Sequence, residues 1–137
     1  MAHALVLYRA TQRADAALRR LAQAAHERGG RITVLALAPQ EPESTRCCDT
    51  RSILWNRVCR ELAQDNLARA LLAIDAEDEA VELATLLVSR RHPADAVTRE
   101  AAIRGANEII LLDPRSSGLG ALERRRLRRR SPVPVSA

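Results

Sequence analysis

Near the C-terminal end, Asn107-Glu108-Ile109-Ile110-Leu111-Leu112 stops at Asp113-Pro114 and opens into Arg115-Ser116-Ser117-Gly118-Leu119-Gly120. No other stretch constrains the fold as much. A short Ile/Leu run bounded by turn signals reads as a strand buried on both faces. The segment after the loop is basic and helix-like, and it closes on Pro132-Val133-Pro134-Val135. Strand, small-residue loop and helix is the layout in which an α/β protein holds a phosphate against a helix N-terminus.

The preceding chain repeats the alternation. Ala4-Leu5-Val6-Leu7-Tyr8 is a central strand. Thr11 can cap the next helix, in which Ala14, Leu18, Leu21 and Ala25 recur at helical spacing. Gly29-Gly30 ends that helix, and Ile32-Thr33-Val34-Leu35-Ala36-Leu37 is a second buried strand. This is a right-handed βαβ unit. Residues 38–51 read as loop. Thr50 or Ser52 caps a long helix whose inward side is predicted to be Leu54, Val58, Leu62, Leu67, Leu71 and Ile74. Trp55 is placed at the helix start or over the loop. Residues 81–88 form a third strand, with Glu82 and Thr85 suited to a sheet edge. Pro93 fits the first turn of the next helix, which runs to Gly105. The expectation is one α/β domain, residues 1–137, with a doubly wound parallel sheet.

Several function classes are excluded or weakened by composition. Lys is absent, so all 22 basic residues are Arg, and six of them fall in residues 124–130. The formal charge of +5 is therefore partly a local feature. That arginine run could contact nucleic-acid phosphates, but no aromatic partner lies within it for stacking, so a solvated helix face is the expectation and nucleic acid is not the expected partner. No apolar run approaches the ~20 residues needed to cross a membrane, and residues 1–10 lack signal-peptide character. Cys47, Cys48 and Cys59 have no zinc spacing, and an odd, low count suits a reducing cytoplasm. Cys47-Cys48 is a candidate redox-sensitive pair if nearby Arg charge lowers a thiol pKa. His92 is a turn residue, and His3 and His26 are expected on the surface. No Ser/His/Asp set, paired catalytic carboxylates or metal-ligand spacing stands out. The chain is expected not to be an enzyme, and no metal or cofactor is expected.

Four segments carry a family resemblance in the right order. Leu5-Val6-Leu7-Tyr8-Arg9-Ala10-Thr11 through Ala17-Leu18 resembles the first strand, turn and helix of the universal stress proteins. His92-Pro93-Ala94-Asp95-Ala96-Val97 resembles that family's turn into its third helix. Gly105-Ala106-Asn107-Glu108-Ile109-Ile110-Leu111 resembles its Gly-Ala-Asp-Leu-Ile-Val-Met strand, and Pro132-Val133-Pro134-Val135 its closing Pro-Cys-Pro-Val strand. The resemblance implies a five-stranded parallel sheet, strand order 3-2-1-4-5, with helices on both faces. It also implies a cytoplasmic stress-response protein and a homodimer, paired through its last strand.

ATP-binding members of that family carry an Asp at the end of the first strand. They also carry a loop of Gly, two residues, Gly, nine residues, then Gly-Ser or Gly-Thr. In such a loop, backbone amides approach the phosphates and a helix N-terminus adds positive charge. The resemblance puts Arg9 at that Asp. Leu112 and Arg115 fall at the first two glycines, and Arg125 and Arg126 at the Gly-Ser pair. Arg91 replaces the Gly before the third helix, and Gly118 and Gly120 remain at another spacing. No ATP-binding residue is matched. Arg9, Arg91, Arg115, Arg125 and Gly118 are therefore a candidate anion site, since guanidinium forks suit phosphate and carboxylate. The competing expectation is that the arginine stems fill an empty crevice and pair with Asp49, Asp113 or Glu41. The first functional expectation is a regulatory, stress-response interaction module that does not bind ATP and acts through an unidentified protein partner or dimerisation. The alternative is a nucleotide- or anion-binding protein that uses Arg, and nucleic-acid binding ranks below both.

Overall fold

The computed structural model describes residues 2–43, 50–74 and 79–137. The chain order is β1 (His3–Leu7), α1 (Gln12–Arg28), β2 (Arg31–Gln40), α2 (Arg51–Ala73), β3 (Val81–Ser89), α3 (Pro93–Arg104), β4 (Glu108–Leu111), a 3-10 turn (Pro114–Ser116), α4 (Ala121–Arg130) and β5 (Val135–Ser136). The sheet order is β3-β2-β1-β4-β5, as expected, and the pairings are parallel. Leu5 sits between Thr33 and Ile109 in the register.

Alternation along the strands divides the core into two layers. Ala4, Val6 and Tyr8 of the first strand pack with Ala14, Leu18 and Ala25 of α1 and Ala70 and Ala73 of α2. Leu5 and Leu7 point the other way, onto Val97 and Ala101 of α3, Leu127 of α4 and Leu119. Helices therefore cover both faces, which is why the strands read as continuous apolar runs. The α1 start follows from Thr11: its extended backbone and Oγ1, which accepts from Ala14 N at 3.0 Å, satisfy an end donor.

Several expectations are corrected. The loop expected from residue 38 begins later, because β2 continues through Ala38, Pro39 and Gln40, pairing Gln40 with Ser89. Beyond Leu35 that strand has lost its β1 partner, and a proline is tolerated where one side of the ladder is free. Thr50 is the N-cap of α2 but makes no side-chain cap bond. His3, expected on the surface, is half-buried. Its Nδ1 donates to the Arg104 carbonyl oxygen at 3.1 Å, and its Nε2 lies 2.8 Å from Thr33 Oγ1. The last strand is reduced to Val135–Ser136, so Pro132, Val133 and Pro134 lie outside it, although Ile109 N still donates to the Pro134 carbonyl at 2.9 Å.

The largest correction concerns α2. Its buried residues are Asn56, Ala63, Ala70 and Ala73, with Leu67 and Ile74 packed at the core's margin. Leu54, Val58, Leu62 and Leu71, expected inside, are exposed. The small residues recur at 56, 63 and 70, a spacing of seven, and let the helix axis approach the sheet closely. Asn56 is tolerated there because both ends of its amide are satisfied. Its Oδ1 accepts from Glu41 N at 2.8 Å, and its Nδ2 donates to the Glu41 carbonyl at 2.9 Å.

Candidate functional site

In an open parallel sheet the ligand crevice lies at the carboxyl ends of the strands, where the strand order reverses between β1 and β4. Here that place is a cleft of about 210 Å³. Tyr8 and Arg9 enter it from the end of β1, Leu37 and Pro39 from β2, Cys59, Leu62, Ala63 and Asn66 from α2, and Ser117 and Gly118 from the loop after β4.

Its floor is rigidly held. The Ala10 amide, in the turn leaving β1, donates to Asn66 Oδ1 at 3.0 Å. Thr11 Oγ1 donates to Asp113 Oδ2 at 3.1 Å, tying the α1 start to the end of β4. Beneath the floor, Tyr8 donates to Asp15, and Arg69 donates to the second oxygen of the same carboxylate. Burial, the bond to Asp15 and the Asp15 charge all push the Tyr8 phenol well above its ordinary pKa, against a smaller opposing pull from Arg69. The phenol is thus a fixed, neutral donor. Gly118 has φ +90, and a Cβ there would meet Leu37 Cδ1 at 3.4 Å. The loop backbone is folded against β2 at this point, and Ser117 is buried behind it.

The expected arginines do not share one cleft. Arg9 and Gly118 line the same one. Arg9 is exposed and has no hydrogen-bond or ion-pair partner among the described residues. Arg91 lines a second cleft of about 460 Å³ with Gln40, Glu41, Pro42, Ser89 and Arg90. Arg115 and Arg125 are exposed and line neither cleft. Of the expected acidic partners, Asp113 is occupied by Thr11 and Glu41 pairs with Arg90, while Asp49 lies outside the described residues. Cys47 and Cys48 lie outside them as well. Cys59 is in the cleft, and burial raises its thiol pKa, with Arg90 pulling it down and Glu41 pushing it up. It is not an activated thiolate.

The arginine run on α4 is partly committed to structure. Arg126 reaches Asp95 at 3.1 Å and Arg130 reaches it at 3.9 Å, while Arg124 donates to the Leu119 carbonyl at 3.0 Å. These contacts fasten α4 to α3 and to the loop, leaving Arg125, Arg128 and Arg129 exposed.

Residue-by-residue reading missed Asn66, Cys59 and Ser117. Asn66 did leave a signal: it sits three residues after Ala63 and four before Ala70, on the inward side of α2. A polar side chain in line with buried alanines at helical spacing points to a specific acceptor or donor role. Also missed was the cluster at the far end of β2. There Arg60 donates to Gln40 Oε1 at 3.1 Å, and the Arg90 guanidinium lies over the Trp55 ring at 5.1 Å.

No family model matches the chain, and no curated protein matches it. Solved structures do. The universal stress protein from Archaeoglobus fulgidus is 20% identical with a TM-score of 0.62, over 99% of this chain and 96% of that one. The same archaeal protein in complex with dAMP gives a TM-score of 0.60 at 20% identity, covering 99% of this chain and 95% of that one. A universal stress protein in complex with cAMP gives 0.56 at 16% identity, covering 98% and 96%. At these identities the likeness is one of fold: this chain has the universal stress protein architecture over nearly its whole length.

Proposed function

We propose that this chain is a universal stress protein-like regulatory module that does not bind ATP and is not an enzyme, acting through protein contacts. The carrying observation is the size and lining of the crevice. At about 210 Å³ it is smaller than the ~300–1,000 Å³ typical of pockets that enclose drug-sized ligands. At the end of β1, where the resemblance calls for a carboxylate, stands Arg9. Leu112, at the position of the first loop glycine, is buried in the core with Tyr8 and Val6, so its side chain is part of the packing and its backbone is not free to approach a phosphate. Isothermal titration with ATP and with dAMP tests the reading. No heat of binding at micromolar concentration is the expected result, and a dissociation constant in the micromolar range or tighter overturns it.

A second reading has one observation in its favour. Arg9 presents a guanidinium without a partner among the described residues at the edge of a cleft that also holds Asn66 and Ser117. A single anionic group, phosphate or carboxylate, would fit there where a whole nucleotide would not. The likeness in fold to proteins solved with dAMP and cAMP supports this second reading.

Dimerisation through the sheet edge and residence in the cytoplasm are part of the proposal. β5 is short and lies at the end of the sheet, and isologous pairing is a common way to cover such an edge. No helix among the described residues is long and apolar enough to cross a membrane.

A further inference from the structure

We propose that the outer face of α2 is a self-association surface that takes a second copy of this chain, helix against antiparallel helix. Leu54, Val58 and Leu62 are 55%, 51% and 57% exposed. They recur every four residues and so form one stripe. The opposite side of the helix is already occupied by Asn56, Ala63 and Ala70, which lie against the sheet. The helix cannot rotate to hide the leucines without lifting those residues off β2 and breaking both Asn56 bonds to Glu41. Scattered exposed apolar residues are ordinary, but an aligned row of them on one helix marks a contact surface.

Charge identifies the occupant. The N-terminal half of the stripe is flanked by Arg51 and Arg57, and the C-terminal half by Glu61 and Asp65. Over residues 51–65 the face is therefore basic at one end and acidic at the other, Arg69 beyond it being paired with Asp15, and this is self-complementary only when two copies run in opposite directions. A two-fold axis near Val58 sets Leu54 against the partner's Leu62 and Arg51 against the partner's Asp65, while Val58 meets its own copy. Arg51 also interacts within its own chain. Opposed helix dipoles favour the same orientation. A 23-residue helix is about 34 Å long and ~10 Å wide, so two such faces bury less than the ~1,200–2,000 Å² of a standard interface. The association is consequently weak and concentration-dependent.

Sedimentation velocity over a concentration series, on the full chain, tests this. The native chain is expected to gain mass with concentration. Val58→Glu sets two carboxylates face to face at the axis and weakens self-association by about tenfold or more. Asp65→Arg weakens it too, and the double variant Arg51→Asp, Asp65→Arg restores it. All these positions are exposed or at the helix start, and circular dichroism confirms that each variant is folded. A native chain that stays monomeric up to millimolar concentration overturns the proposal. So does association beyond the β5 dimer that is unchanged by Val58→Glu; that dimer is set apart by truncation after Ser131, which removes β5 and leaves the α2 face intact. Failure of the double reversal to restore what Asp65→Arg removes overturns the antiparallel arrangement.

Discussion

The Tyr8 phenol donates to Asp15 Oδ1 at 2.5 Å, and Asp15 Oδ2 accepts from Arg69 Nε at 3.3 Å. Three residues thereby join the end of the central strand to α1 and to α2, directly below the cleft. The contact is buried at Tyr8 and Asp15, while the Arg69 side chain is half-exposed. Removing the phenol oxygen leaves a buried carboxylate one partner short. Tyr8→Phe is expected to destabilise the fold by about 1–3 kcal/mol, the range for an unsatisfied buried polar group, measured by urea unfolding.

The same relationship fixes a pH dependence. In the folded chain the Tyr8 pKa is raised above the ordinary tyrosine value of about 10 by burial first, then by Asp15. Above that value the unfolded chain releases the proton while the folded chain keeps it. The stability contribution is complete below pH ~10 and is lost as pH rises toward the folded pKa. Tyr8 is the only tyrosine, so ultraviolet absorbance of phenolate reports it alone. The folded protein is expected to titrate well above the denatured one. Coincident titration curves would show that the phenol is not held by Asp15.

Occupation of the cleft by a simple anion is measurable without knowing the natural ligand. If Arg9 holds one, phosphate raises the melting temperature more than chloride at matched ionic strength, by mass action on the folded state. Phosphate and sulfate also stabilise proteins generally by exclusion from their surface. The control is an Arg9→Ala, Arg115→Ala variant, which is expected to lose the anion-specific part of the gain. An equal gain in parent and variant rules the anion site out, and Arg9 is then a solvated side chain over a small crevice.

Gly118 carries the loop through φ +90 beside Leu37. An L side chain there is strained by its backbone, at roughly 1–2 kcal/mol, and its Cβ would touch Leu37 Cδ1 at 3.4 Å. Gly118→Ala is expected to lower stability by about that amount in denaturant unfolding. No loss would mean that the loop can leave this conformation freely.

Much of the fold was legible because burial on both faces writes itself into composition. Residues 4–8 and 109–112 are apolar without interruption and residues 32–37 are broken only at Thr33, and each run lies in a strand or at its end, covered by helices on both sides. Thr11 and Gly29 mark the ends of α1 through local backbone chemistry that needs no tertiary partner. The candidate site was less legible. Arg9 and Gly118 were singled out from opposite ends of the chain and do meet in one cleft. Arg91, Arg115 and Arg125 were grouped with them by the resemblance, and they do not line that cleft.

Sequence alone determined the order of elements, the parallel sheet and the two-layer core, since those depend on periodicity and on turn residues that act over a few positions. Tertiary structure alone decided which side of α2 faces inward. That helix carries leucines on one side and small residues on the other, and hydrophobicity favours the leucines. The sheet instead takes Asn56, Ala63 and Ala70, because small side chains permit close approach and the Glu41 backbone satisfies the asparagine. The cost of leaving Leu54, Val58 and Leu62 in water is visible only once that packing is known, and so is the surface they form.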